Sequence, residues 1–92
     1  MRIRVEYVAQ FKEAAGVPGE ALELPAGASL QAVVRRVAEA HGPRLAGLLL
    51  DEAGGLRPSA VLFVGDDQVE WDEAVVLRDG DRLTLMSPLA GG

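Results

Sequence analysis

The residues able to do chemistry in this sequence are few, and most familiar arrangements of them are missing. There is no cysteine, hence no disulfide, thiolate metal ligand or cysteine nucleophile. The one histidine, His41, excludes a multi-histidine metal centre. Ser29, Ser59 and Ser87 have only His41 as a candidate base, and Ser29 stands where a helix needs an N-cap, so a Ser-His-Asp arrangement is not supported. Carboxylates are plentiful but fall in turn-forming stretches of a chain too short to enclose a cleft around a converging pair. What remains is the ending, Ser87-Pro88-Leu89-Ala90-Gly91-Gly92. Pro88 stiffens the exit from the preceding segment, the tail has no charge but its carboxylate, and Gly91 and Gly92 have no Cβ. Such a tail can thread a narrow channel and bring its own α-carboxylate beside another protein's nucleotide. The same residues would also suit an ordinary frayed terminus.

The rest of the sequence must then hold and present that tail. Its 92 residues, 49% apolar and 25% charged, fit one small globular domain. No apolar run reaches the roughly 18 residues of a membrane span, and MRIRVEYV alternates charge with hydrophobe where a signal peptide would be continuously apolar. A cytoplasmic protein with no membrane association is expected. The net charge of −5 disfavours nucleic acid. Half of the acids (Asp66, Asp67, Glu70, Asp72, Glu73, Asp79, Asp81) fall between positions 66 and 81, where Arg78 is the only cation. That stretch suits either a basic protein partner or a set of solvated turns.

Ile3, Val5 and Tyr7 alternate with Arg2, Arg4 and Glu6, the pattern of a strand with one buried face. Val8 breaks the alternation by placing an apolar side chain on the outward face. Gln10 to Ala15 is short and helix-prone, and Gly16, Pro18 and Gly19 end it before a strand over Glu20 to Leu24. Ser29 caps a helix whose apolar positions Leu30, Val33, Val34, Val37 and Ala38 share one face, with Gly42-Pro43 as terminator and His41 as a helix-end residue. Leu45 and Leu48 to Leu50 suggest a second helical turn, followed by a loop from Asp51 to Pro58. Ala60 to Val64 is a continuous apolar run, expected to be a central strand buried on both faces or covered by a partner. Gln68 to Trp71 returns as a short strand, and Asp79-Gly80 turns into a last strand with Leu83 and Leu85 inward. Sheet broken once by a helix long enough to cover a face describes an α+β roll. Met86 lies opposite its strand's core residues, as Val8 does. If the first and last strands are neighbours, the two form an apolar patch beside the exit of the tail.

Three stretches carry a family resemblance: Val5 to Gly16 (VEYVAQFKEAAG), Asp79-Gly80-Asp81 before the last strand, and the ending Ser87 to Gly92. Together with the element order, they make the sequence similar to the MoaD/ThiS family of ubiquitin-like sulfur carriers, and particularly to its molybdopterin synthase small-subunit branch. It departs in having Gly65-Asp66 where the family often has an Asn-Gly turn, and Ser87 in place of the first proline of a pair. The resemblance implies a β-grasp domain over residues 1–86, a mixed sheet of four to five strands with one main helix on one face, and a flexible tail over 87–92. It implies that the protein binds no cofactor itself. A ubiquitin-activating-enzyme-like adenylyltransferase would use ATP and Mg to adenylate Gly92, and a sulfurtransferase or desulfurase would supply the sulfur that makes a thiocarboxylate. The large molybdopterin synthase subunit would receive Pro88, Leu89, Ala90 and Gly91 in its active site and pass the sulfur to a pterin precursor. Val8, Phe63 and Met86 would contact the partners. The chain would then be a non-catalytic cosubstrate in molybdenum cofactor biosynthesis. The loop Asp51 to Pro58 resembles longer members, so carriers for thiamine, cysteine or tRNA thiolation stay open, as does a ubiquitin-like modifier.

Overall fold

The computed structural model describes residues 1–87. In chain order its elements are β1 (Arg2–Tyr7), α1 (Gln10–Ala15), β2 (Gly19–Glu23), α2 (Leu30–His41), α3 (Pro43–Leu49), β3 (Val61–Val64), β4 (Asp67–Val69) and β5 (Arg82–Met86). They build one five-stranded sheet in the order β2-β1-β5-β3-β4. β1 and β5 run parallel and the other pairs antiparallel, so the sheet is mixed and the fold is the expected α+β β-grasp.

Period-2 alternation in β1 becomes a buried row of Ile3, Val5 and Tyr7 and an outward row of Arg2, Arg4 and Glu6. β5 repeats the pattern with Leu83 and Leu85 inward, and β3 adds Leu62. Onto that face α2 lays Leu30, Val33, Val34, Val37 and Ala38, the five positions that the 3.6-residue period picks out. The Ser29 hydroxyl accepts from the Ala32 amide at 3.1 Å and caps the helix. α1 contributes Phe11, and α3 contributes Leu45 and Leu49. Gly19 opens β2 opposite Glu6, and a Cβ there would lie 2.8 Å from the Val5 carbonyl oxygen, so this close strand approach needs glycine.

Three expectations need correction. The run Ala60 to Val64 is not the central strand: β5 is, and in β3, which begins at Val61, only Leu62 is buried while Val61, Phe63 and Val64 are half-exposed. An apolar run here marks a strand with one face in the core and an apolar outer face. Pro43 does more than stop α2. It occupies the first turn of the seven-residue α3, where its missing N–H costs nothing, and Gly42 at φ 91° makes the corner between the two helices. The return strand β4 is Asp67–Val69 and stops short of Trp71.

The β1–α1 connection holds Ala9 at φ 54° and ψ −125°, a backbone region that suits glycine, in a turn closed by the Phe11 amide donating to the Val8 carbonyl at 3.2 Å. Ala9→Gly relieves a local strain of about 1–3 kcal/mol and adds up to about 1 kcal/mol of unfolded-state entropy. The net expectation is a gain of about 1 kcal/mol, read as a higher urea midpoint at unchanged m-value.

Candidate functional site

The outer face of the sheet, away from α2, changes character from one end to the other. In the register of the three central strands, Arg4 lies opposite Arg82, Glu6 opposite Thr84, Thr84 opposite Phe63, and Met86 opposite Val61. Successive outward residues on a strand are two steps of about 3.3 Å apart, so the row holding Val61 and Met86 lies roughly 13 Å from the row of Arg4 and Arg82. The charged end is tied by exposed pairs, Arg2 with Glu23 at 3.9 Å, Arg4 with Glu6 at 2.9 Å and Arg82 with Asp66 at 3.6 Å. Exposed pairs of this kind contribute about 0–1 kcal/mol each.

The apolar end is where β5 delivers the chain to its ending. Val61, Phe63, Gln68 and Met86 line a shallow, largely apolar depression. The Val8 amide donates to the Leu85 carbonyl at 3.1 Å, which places Val8 beside Met86, and its side chain is 37% exposed. The parallel β1–β5 pairing thus brings Val8, Phe63 and Met86 onto one face next to the start of the tail. Val61 belongs to the same patch. Its alternation with buried Leu62 was the signal in the sequence, obscured by the apolar residues on both sides. Ser87 is buried at 3% exposure. Pro88, Leu89, Ala90, Gly91 and Gly92 lie outside the described residues.

At the same end of β1, on the inner side of the sheet, His41 does more than end a helix. The Tyr7 hydroxyl donates to Glu20 Oε2 at 2.5 Å, and His41 Nε2 shares the same oxygen. Tyr7 Oη and His41 Nε2 are 3.3 Å apart, and the two rings meet edge to face. One carboxylate therefore joins β2, the end of β1 and the last residue of α2. Partial burial pushes the Glu20 carboxyl up, but the hydrogen bonds from Tyr7 and His41 and attraction to a protonated His41 outweigh it and hold it below the usual carboxylate range. Burial, the bond to Glu20 and the Glu20 charge all raise the Tyr7 phenol well above its ordinary value.

The signs of these shifts set the pH dependence. The Glu20 contribution is complete above its unfolded-state value and disappears as pH falls through its lowered folded-state value. The Tyr7 contribution is complete below its unfolded-state value and is lost as pH rises through its raised one. Glu20→Gln should therefore cost about 1–2 kcal/mol at neutral pH and nearly nothing in strong acid, measured as urea midpoints across pH. A difference constant down to low pH would overturn this account. The link was not visible in the sequence because Tyr7, Glu20 and His41 belong to three separate elements.

Among the described residues no three His, Cys, Asp or Glu side chains are grouped to hold a metal ion, and no helix is long and apolar enough to cross a membrane. The concave features are open and shallow. The outer face suits the docking of a partner beside the end of β5.

The whole chain aligns with the molybdopterin synthase sulfur carrier subunit of Chlamydomonas reinhardtii, 29% identical over 92 residues and covering 100% of both. Its fold superposes on SAMP1, a small archaeal modifier protein of Haloferax volcanii, with a TM-score of 0.88, 20% identity and 100% coverage of both chains. It also superposes on a chain of the complex between subunits 1 and 2 of the molybdopterin-converting factor of Helicobacter pylori, with a TM-score of 0.62, 18% identity and 100% coverage of both. At those identities the two structures speak for the fold. The ThiS family model matches residues 5–92, a span that takes in Val8, the outer face of β3 and β5, and the Gly-Gly ending. With the β-grasp sheet, the apolar face at the exit of β5 and a family match over nearly all of its length, the chain belongs to the ThiS family of ubiquitin-like sulfur carriers.

Proposed function

We propose that this chain is the sulfur-carrying small subunit of a molybdopterin synthase. The observation that carries the reading is the apolar face of Val8, Val61, Phe63 and Met86 at the point where β5 releases the tail. A partner seated on that face receives the ending next to it. The full-length likeness to a molybdopterin synthase sulfur carrier subunit supports the choice of pathway, and the H. pylori complex of subunits 1 and 2 supports a large-subunit partner.

In this reading the Gly92 carboxylate attacks the α-phosphorus of ATP in a partner adenylyltransferase, releasing pyrophosphate and leaving an acyl-adenylate. The terminal sulfur of a persulfide then displaces AMP, and a thiol cleaves the sulfur–sulfur bond to leave a thiocarboxylate. Its sulfur is a better nucleophile than the carboxylate oxygen it replaces. The charged carrier docks on the large subunit through the same apolar face, and Pro88 to Gly91 carry the sulfur to the pterin precursor. The small, uncharged residues of the ending leave the acyl carbon unobstructed. ATP and Mg belong to the partner, and the cytoplasm is the compartment.

The test is the intact mass of the protein isolated from its own cells, with and without a thiol-alkylating reagent. With no cysteine in the chain, an alkylatable sulfur mapped by fragmentation to Gly92 is the expected result. A plain carboxylate in cells making the cofactor would overturn the reading and favour a protein modifier.

A further inference from the structure

The acidic stretch that follows β3 has no part in the chemistry above. Between positions 66 and 73 it contains Asp66, Asp67, Glu70, Asp72 and Glu73 and no cation, and all five are exposed. Of these, only Asp66 reaches an arginine, Arg82 at 3.6 Å, among the described residues. The stretch wraps a sheet edge, for β4 is an outer strand and no described strand lies beyond it. An outer strand offers unpaired backbone N–H and C=O groups to any extended chain laid beside it.

Next to that edge is a groove of mixed polar and apolar lining between the Asp51–Pro58 loop and the end of β4, with Leu56, Arg57, Pro58, Gln68, Glu70 and Trp71 in its walls. Val61 and Gln68 also line the outer-face depression, so the two concavities are neighbours. The groove's aromatic wall is held from α2, where the Arg35 guanidinium stands 5.7 Å from the Trp71 ring centroid. Arg57, at the loop side, is engaged with the Gly47 carbonyl at 2.6 Å. The other outer strand, β2, differs: its neighbourhood holds charges of both signs, paired as Arg2 with Glu23 and Arg4 with Glu6.

We propose that the β4 edge is a second docking site, which takes a basic, extended segment of a protein partner and seats one of its apolar side chains against Leu56, Pro58 and Trp71. Charge complementarity decides the occupant. A strand whose alternate residues are cationic meets Asp67, Glu70, Asp72 and Glu73 with one face and the apolar side chains of Leu56, Pro58 and Trp71 in the groove with the other. The β2 edge has no such excess. The site is independent of the tail, and a partner held there can also span onto the face of Phe63 and Met86.

The probe is a synthetic hexapeptide alternating arginine with valine or leucine, with the same peptide carrying glutamate for arginine as the comparison. Trp71, the one tryptophan, reports its own groove by fluorescence, and amide chemical shifts place the contact. Expected are a saturable change in Trp71 emission, shifts confined to β4, Leu56 and Trp71, and weakening as salt shortens the screening length from about 10 Å at 0.1 M. Asp67→Lys combined with Glu70→Lys, folded by circular dichroism, should weaken binding by about tenfold or more. Deleting Gly91 and Gly92 should leave peptide binding unchanged while abolishing the sulfur chemistry proposed above, so the two readings fail separately. No saturable change at millimolar peptide, equal binding by the glutamate peptide, or shifts centred on β2 would overturn the proposal.

Discussion

Met86→Glu is expected to weaken binding to the proposed partners, an adenylyltransferase and a large subunit, by about thirtyfold or more while leaving the domain folded. Met86 is half-exposed on the outer face, opposite Val61 and beside Val8, at the centre of the apolar patch. A carboxylate there would have to be desolvated beneath the partner, and apolar anchors at the centre of an interface typically account for about 2 kcal/mol or more, which is roughly thirtyfold in affinity. The same side chain contributes little to the core, whose β5 members are Leu83 and Leu85, both at 0% exposure. Thermal unfolding should therefore shift by no more than a few degrees. Titration calorimetry with each partner, run beside a melting curve, separates the two effects. Unchanged affinity in a folded variant would remove the patch from the docking reading.

The largest loss of stability is expected from Phe11→Ala. α1 is six residues long, too short to persist by its own hydrogen bonds, and Phe11 is its one buried side chain, at 0% exposure. Truncation leaves a cavity that the short helix cannot close without moving, and comparable Phe-to-Ala changes cost about 3–5 kcal/mol. For a domain of this size that lowers the melting temperature by on the order of 20 °C. The effect reaches the docking face as well. The Phe11 amide closes the turn on the Val8 carbonyl, so a loosened α1 releases Val8 from its place beside Met86. Hydrogen exchange at Val8 and Phe11 should accelerate ahead of exchange in β5. Equal acceleration throughout the sheet would point to global destabilisation alone.

Most of the fold was legible because local pattern and tertiary demand agree in these elements. The alternation of Ile3, Val5 and Tyr7 and the helical spacing from Leu30 to Ala38 each define one buried face, and the structure buries those residues. Legibility failed where a residue's surroundings depend on strand order. Ala60 to Val64 carries apolar residues at consecutive positions, which cannot distinguish a strand buried on both faces from one whose outer face is a docking surface. The position of β5 between β1 and β3 decides it, and that is a matter of topology. The pairing of Val8 with Met86 was conditional on the same adjacency and was met by it. Glu20 and His41 looked unremarkable alone, because a surface-strand glutamate and a helix-end histidine are common. Only the β1–β2 register and the length of α2 bring them to one oxygen.

Placing the last strand in the middle of the sheet also has a consequence for biosynthesis. While the chain is being made, β1 with β2 and β3 with β4 can form as separate antiparallel pairs, but no strand joins them into one sheet until Arg82 to Met86 have been added. That joining requires contacts between the first and last parts of the chain, the slow, high-separation kind. A nascent or truncated chain lacking β5 therefore has neither a closed core nor Met86 to offer. The proposed docking face, with Met86 at its centre, thus becomes available only once the strand that closes the core is in place.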